Sequence, residues 1–248
     1  MAKNCRQALC AAAARWGQEL RHALAPACVV CGITRAALRQ DPLCAGCRAD
    51  YFDPAVCRCP VCANPLAAPR GAPGAPSPCG RCLAQPPHFD GTRVLGHHAL
   101  PLDAMVGALK FHARLDIGRA LGVLPAQRAA GLAADAIVPL SLARERLRER
   151  GFNQAEEIAR ALGRELGLPV LSRVLMRQRH NPAQHSLPLS QRRTNVRGAF
   201  AACARLDAMR LLLVDDVLTT GATLDEAGAC CKAAGALWIC NLVVARTP

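Results

Sequence analysis

From about residue 92 onward, short uninterrupted apolar runs alternate with longer stretches whose apolar positions recur every three to four residues. The first kind reads as buried strand and the second as amphipathic helix. TRVLGHHAL (92–100) predicts a strand, LDAMVGALKF (102–111) and IGRALGVLPAQRAAG (117–131) predict helices, and ADAIVPL (134–140) predicts a strand running into a loop. NQAEEIARALGRELG (153–167) predicts a helix stopped by Gly167 and Pro169. SRVLMR (172–177) and MRLLLVDDV (209–217) follow as strands, TLDEAGACCKAAG (223–235) as a helix and LWICNLVVAR (237–246) as a last strand. This alternation predicts an α/β domain with a mainly parallel sheet flanked by helices. Upstream the pattern breaks. Residues 4–24 have helical spacing, whereas 26–87 have no steady period and include the stretch APRGAPGAPSP (68–78), whose prolines and glycines predict a loop. The expected organisation is an amino-terminal helix (1–25), a cysteine-rich module (26–87) and the α/β domain (88–248).

Composition agrees with that division. Apolar residues make up 52% of the 248 and aromatics only 3%, which suits Ala- and Leu-rich helices on a sheet and excludes wholesale disorder. The formal net charge is +13, carried almost wholly by arginine. A charge of that size favours anionic partners, phosphorylated sugars or nucleic acid. Arg6, Arg15, Glu19 and Arg21 interrupt the start of the chain, so neither a signal peptide nor a membrane span is expected there, and a cytoplasmic location with reduced thiols is expected.

Nine of the fifteen cysteines fall within residues 26–87, mostly as CxxC pairs. These are Cys28 with Cys31, Cys44 with Cys47, Cys59 with Cys62, and Cys79 with Cys82. A CxxC turn presents two thiolates to one ion, and two such knuckles complete a tetrahedral site. Four knuckles imply two structural zinc ions. The knuckles are paired sequentially, as tandem zinc ribbons, although an interleaved pairing fits the spacing too, and Cys57 is an alternative to Cys59 as ligand. Cys203, Cys230, Cys231 and Cys240 read as small core residues of the α/β domain.

The sharpest chemical signal is LLLVDDVLTTGAT (211–223). Four apolar residues suit a central parallel strand, and Asp215 and Asp216 stand at its carboxyl end, the edge where open α/β sheets bind ligands. Thr219, Thr220, Gly221, Ala222 and Thr223 then lead into a helix whose free amides and dipole suit a phosphate. Paired carboxylates beside an anion site make sense if they accept hydrogen bonds from sugar hydroxyls. An isolated Asp-Asp would more often cap a strand; the whole pattern is far more specific.

Residues 211–223 resemble the phosphoribosyl pyrophosphate (PRPP) motif of type I phosphoribosyltransferases. From Cys28 to Thr247 the chain is similar to the ComF family, competence-associated proteins with an amino-terminal zinc-binding module. Supporting segments are ALKFHARLDIGRAL (108–121), RLRERGFNQAEEIARALGRELG (146–167), QHSLPLSQRRTNVRGAF (184–200) and the terminal VVART. The resemblance implies a type I phosphoribosyltransferase-like sheet behind a small double zinc-ribbon module. It implies that Asp215 and Asp216 hold the ribose hydroxyls and that Val217 to Thr223, Leu218 included, wrap the phosphate. The loop of Pro139, Leu140 and Ser141, with Arg150 and the neighbouring Arg144, Arg146 and Arg148, would cradle the pyrophosphate together with Mg²⁺. Residues 177–197 would close as a lid, bringing Arg179, Arg192 or Arg193 to the leaving group; His180 and His185 are positional candidates only. Lys110, alone on an apolar helix, reads as a snorkelling side chain or a phosphate contact. Residues 92–134 would supply a hood over the acceptor. Two functions fit: a phosphoribosyl transferase with an unknown acceptor, or a single-stranded-DNA-binding accessory factor of DNA uptake, partnered with competence helicase-type proteins, whose PRPP site is regulatory or vestigial.

Overall fold

The computed structural model describes residues 27–34, 41–52, 56–67, 77–178 and 196–247. The expected helix over 4–24, most of the 68–78 loop and nearly all of the expected lid lie outside these residues. The chain divides into two compact units, one ending at Ala49 and the other running from Asp50 onward.

In the smaller unit the Cys28 knuckle turns between the bridged residues Ala27 and Thr34. Cys44 lies immediately before helix α1 (Ala45–Tyr51), which carries Cys47 on a buried turn. The larger unit begins with a second knuckle, its ends joined by the bridge between Arg58 and Pro65, followed by α2 (Gly80–Ala84).

The remainder of the larger unit is α/β. Its main sheet joins β1 (Gly91–His97), β2 (Ala136–Pro139), β5 (Arg210–Leu218) and β6 (Trp238–Arg246) in the order β1-β6-β5-β2. Every pairing in it is parallel. A two-stranded antiparallel sheet, β3 (Leu175–Arg177) with β4 (Phe200–Ala202), stands apart from it. The sequence pattern misses β4, because three residues are too few to show a period.

Helices α3 (Leu102–His112), α4 (Leu115–Ala129) and α6 (Gln154–Leu166) cover one face of the main sheet, while α7 (Ala222–Ala233) and the β3–β4 pair cover the other. The close fit of α4 on α6 depends on Gly122, where a Cβ would come within 2.5 Å of Ala161 Cβ and the Ile158 carbonyl. The short helix α5 (Arg144–Arg150) buries none of its residues. Strands β5 and β6 are the centre of the sheet, and Leu211, Leu213, Ile239 and Val244 are fully enclosed there. Residues 92–134, expected as a hood over an acceptor, form the edge strand β1 and the helices α3 and α4 of this layer, the strand and helices that their pattern predicts. Strand β1 has a parallel partner available in β6, and satisfying that backbone ladder draws the segment into the sheet. Among the described residues no helix is long and apolar enough to cross a membrane.

Candidate functional site

Successive side chains on a strand point to opposite faces, and this separates the two aspartates at the end of β5. Asp215 follows the parity of Leu211 and Leu213, toward α7 and the β3–β4 pair. Asp216 follows Leu212 and Val214, toward α3 and α6. There Lys110 Nζ lies 2.9 Å from Asp216 Oδ1, and Gln154 Nε2 donates to Asp216 Oδ2 at 2.7 Å. Arg150, the last residue of α5, donates to Gln154 Oε1 at 2.6 Å and stacks 6.0 Å from the Phe111 ring centroid. Asp216 is thus buried and fully engaged. Lys110 is an ion-pair partner rather than a snorkelling side chain, and Arg150 reaches the acidic pair through Gln154. Gln154 was not singled out in the sequence; its place one residue into a helix, directly after the Asn153 cap, was the only available sign.

Asp215 is different. Its Oδ1 accepts the Asp216 N–H at 2.8 Å. Loss of surrounding water, and then the Asp216 charge, raise its carboxyl to about 7, against the opposing pull of that N–H, Lys110 and Arg177. Arg177 on β3 is half-buried, stacked on Phe200 at 5.6 Å, and its buried Nε has no hydrogen-bond partner among the described residues.

The turn after β5 contains Thr219, Thr220 and Gly221; Ala222 and Thr223 open α7. Gly221 has φ 84°, a left-handed conformation that favours glycine, and Thr220 Oγ1 accepts the Ala222 N–H at 3.3 Å. Val217 remains in the strand, paired with Ala245, and Leu218 is paired with Arg246. Next to this turn runs the loop after β2. Pro139 pairs with Val214, and the Leu140 N–H donates to the Val214 carbonyl at 2.9 Å, so the loop begins alongside Asp215. Asn153 pins it by donating to the Leu140 carbonyl at 3.0 Å while capping α6 through the Ala155 N–H. The Ser141 hydroxyl is buried and unpartnered among the described residues. Beyond it a cavity of about 470 Å³ opens between Ala143, Arg144 and Glu145 on one side and Met176, Arg177 and Gln178 on the other. Arg179, Arg192, Arg193, His180 and His185 lie outside the described residues.

The cysteines gather into two groups, Cys28, Cys31, Cys44 and Cys47, and Cys59, Cys62, Cys79 and Cys82, with all sulfurs of a group within 4.8 Å of one another. The pairing is sequential, and Cys57 belongs to neither group. Four thiols about 2.3 Å from a zinc ion stand about 3.8 Å apart at tetrahedral angles. The Cys31–Cys44 and Cys62–Cys79 sulfurs are 3.7 and 3.6 Å apart, so each group can hold zinc. Backbone amides prepare the thiolates. Cys44 N donates to Cys28 Sγ at 3.4 Å, and Cys79 N to Cys59 Sγ at 3.2 Å. Burial raises both thiols, but the N–H groups around them prevail and bring Cys28 to about 6 and Cys59 to about 7. Of the cysteines expected in the α/β core, Cys231 and Cys240 are buried, Cys230 is half-buried, and Cys203, contrary to that expectation, is exposed just after β4, where the chain has left the sheet.

A parallel α/β sheet that ends in an acidic pair and a glycine turn is accompanied in this chain by two four-thiol groups that can hold zinc. Two relatives make the assignment narrower. The chain is 35% identical over 158 residues to Competence protein F of Haemophilus influenzae, matching 60% of this chain and 69% of that protein. It is 35% identical over 175 residues to the DNA utilization protein YhgH of Salmonella typhimurium, matching 68% and 74%. The chain belongs to the ComF family. A glutamine PRPP amidotransferase from Bacillus subtilis, solved with ADP and GMP, overlaps 51% of this chain and 25% of its own at 19% identity, with a TM-score of 0.37, a likeness too partial to decide anything. No protein-family model matches.

Proposed function

We propose that the carboxyl end of β5 binds PRPP or a closely related phosphosugar. The observation that carries this reading is the division of labour between the acids. Asp216 is held by Lys110 and Gln154, which leaves Asp215 as the carboxylate available to ribose hydroxyls beside a glycine turn that opens a helix. Thr219 to Thr223 would receive the 5′-phosphate through hydroxyls and first-turn amides. Ser141 and Arg177, each with a buried donor unpartnered among the described residues, would gain a partner from the pyrophosphate end, and an unsatisfied buried group of this kind costs about 1–3 kcal/mol until it does. Mg²⁺ would supply charge neutralisation on the pyrophosphate. The lid arginines Arg179, Arg192 and Arg193 would act on the leaving group. Departure of pyrophosphate from the anomeric carbon toward an acceptor nucleophile is the transfer this arrangement suits; PRPP binding without turnover is equally consistent with the site.

The net charge of +13 and relatives named for competence and DNA utilization support a second role, contact with single-stranded DNA during its uptake or use in the cytoplasm. Titration calorimetry with PRPP·Mg²⁺, followed by pyrophosphate-release assays with nucleobases and single-stranded DNA as acceptors, separates the roles. Binding without release under any acceptor removes the transferase; DNA affinity indifferent to salt removes phosphate contact. Because Asp215 ionises only as pH rises through about 7, and the ionised form is the stronger acceptor, PRPP affinity should increase from pH 6 to pH 8. Asp215→Asn should flatten that rise and weaken binding roughly tenfold or more. Undiminished affinity in Asp215→Asn would overturn the assignment.

A further inference from the structure

We propose that Arg81 is a positioning residue through which the second four-cysteine group sets the phosphate loop, an inference that rests on reading the 219–223 turn as a phosphosugar site. Arg81 stands between two thiols of that group, Cys79 and Cys82, in the first turn of α2. Its backbone is therefore held wherever those thiols share a metal ion. Its guanidinium donates to the Thr220 carbonyl at 3.2 Å.

That carbonyl belongs to the peptide linking Thr220 to Gly221. A trans peptide is planar, with its C=O and N–H pointing in opposite directions. Fixing the Thr220 oxygen from the ribbon side thus fixes the Gly221 N–H on the other side. The lock matters because Gly221, at φ 84°, is the residue whose backbone freedom would otherwise let this peptide turn over. An amide that alternates between two directions is a poor phosphate donor; one held in place is preorganised.

A second strut comes from the other half of the same cysteine group. Asn64, two residues after Cys62, accepts hydrogen bonds from both Nε and a terminal nitrogen of the buried Arg246. Arg246 is the register partner of Leu218, the residue just before the turn. The Thr247 N–H closes this side by donating to the Leu218 carbonyl at 3.0 Å. Between the struts is a cavity of about 310 Å³ whose walls include Cys62, Cys82, Thr220, Gly221 and Ala222. The polar struts span this gap.

The test uses the full chain with zinc bound. Arg81→Met keeps the aliphatic stem and removes the donor from an exposed position, so both zinc ions should stay. Hydrogen exchange of the amides in 219–224 should speed up while α6 is unchanged, and PRPP affinity should fall roughly three- to tenfold. Arg81→Lys keeps the charge but loses the fork geometry. If it restores affinity while exchange in the turn stays fast, Arg81 acts only as a general positive charge and the proposal fails. It also fails if Arg81→Met leaves exchange and affinity as in the wild type. Should the wild-type protein bind no PRPP, the functional reading of the site falls, and the exchange comparison alone then decides whether Arg81 holds the turn.

Discussion

At the first cysteine group the residue after the second thiol is Gly32, with φ 74° and nothing within 4 Å of where a Cβ would sit. At the second it is Ala63, with φ 56° and a methyl packed into the core of the sheet, only 1% exposed. Both knuckles need the left-handed turn, and in both the N–H of that same residue, Gly32 or Ala63, donates to the first cysteine's carbonyl, at 2.9 and 2.8 Å. Glycine meets the need without strain. Alanine meets it at a cost of about 1–2 kcal/mol, offset here by burying its methyl. The second group is therefore part of the larger unit's core as well as a set of thiols that can hold a metal ion. The first belongs to the unit ending at Ala49. The Pro60 carbonyl accepts the Thr92 N–H at 3.0 Å, so the second knuckle also anchors the start of β1.

The largest effect should come from removing thiols at the embedded site. Cys59→Ser with Cys82→Ser should release one of two zinc ions and destabilise the larger unit by about 5 kcal/mol, seen in denaturant unfolding followed by circular dichroism. Cys28→Ser with Cys47→Ser should release one zinc ion and leave that unfolding midpoint in place. Equal effects from the two double variants would break the comparison. A smaller effect is expected from Lys110→Met, which leaves the buried Asp216 with Gln154 alone. The pair is partly solvated on the lysine side, with 22% of that side chain exposed, so a loss of about 2–3 kcal/mol is expected rather than that of a fully enclosed ion pair. A loss below about 0.5 kcal/mol would mean that Asp216 does not depend on Lys110. The smallest effect belongs to Cys57→Ser. Lying outside both groups, it should leave zinc content at two per chain, and a drop to one would return Cys57 to the ligand set.

Much of this protein was legible from residue order. The runs at 136–139, 210–218 and 238–246 announced strands because a strand covered on both faces reads as a mainly apolar run. The helix at 154–166 announced itself by its period and by Gly167, which ends it in the left-handed region. The CxxC spacing foretold the cysteine pairs, since the geometry of a thiolate pair is local. The acidic pair and the TTGAT turn likewise marked the end of one strand and the start of a helix, as β5 and α7 show. Their constraints lie within a few residues of one another, so sequence alone expresses them.

What the tertiary structure decided involves groups distant in the chain. Only the fold brings Lys110 and Gln154 to Asp216, separates the two aspartates onto opposite faces, and places Arg81 on the Thr220 carbonyl 139 residues away. Only it settles that the knuckles pair sequentially and sets β1 beside β6 at the edge of the sheet. These outcomes depend on which surfaces meet, and contact between remote segments is set by packing and backbone satisfaction across the whole unit, which no local pattern encodes.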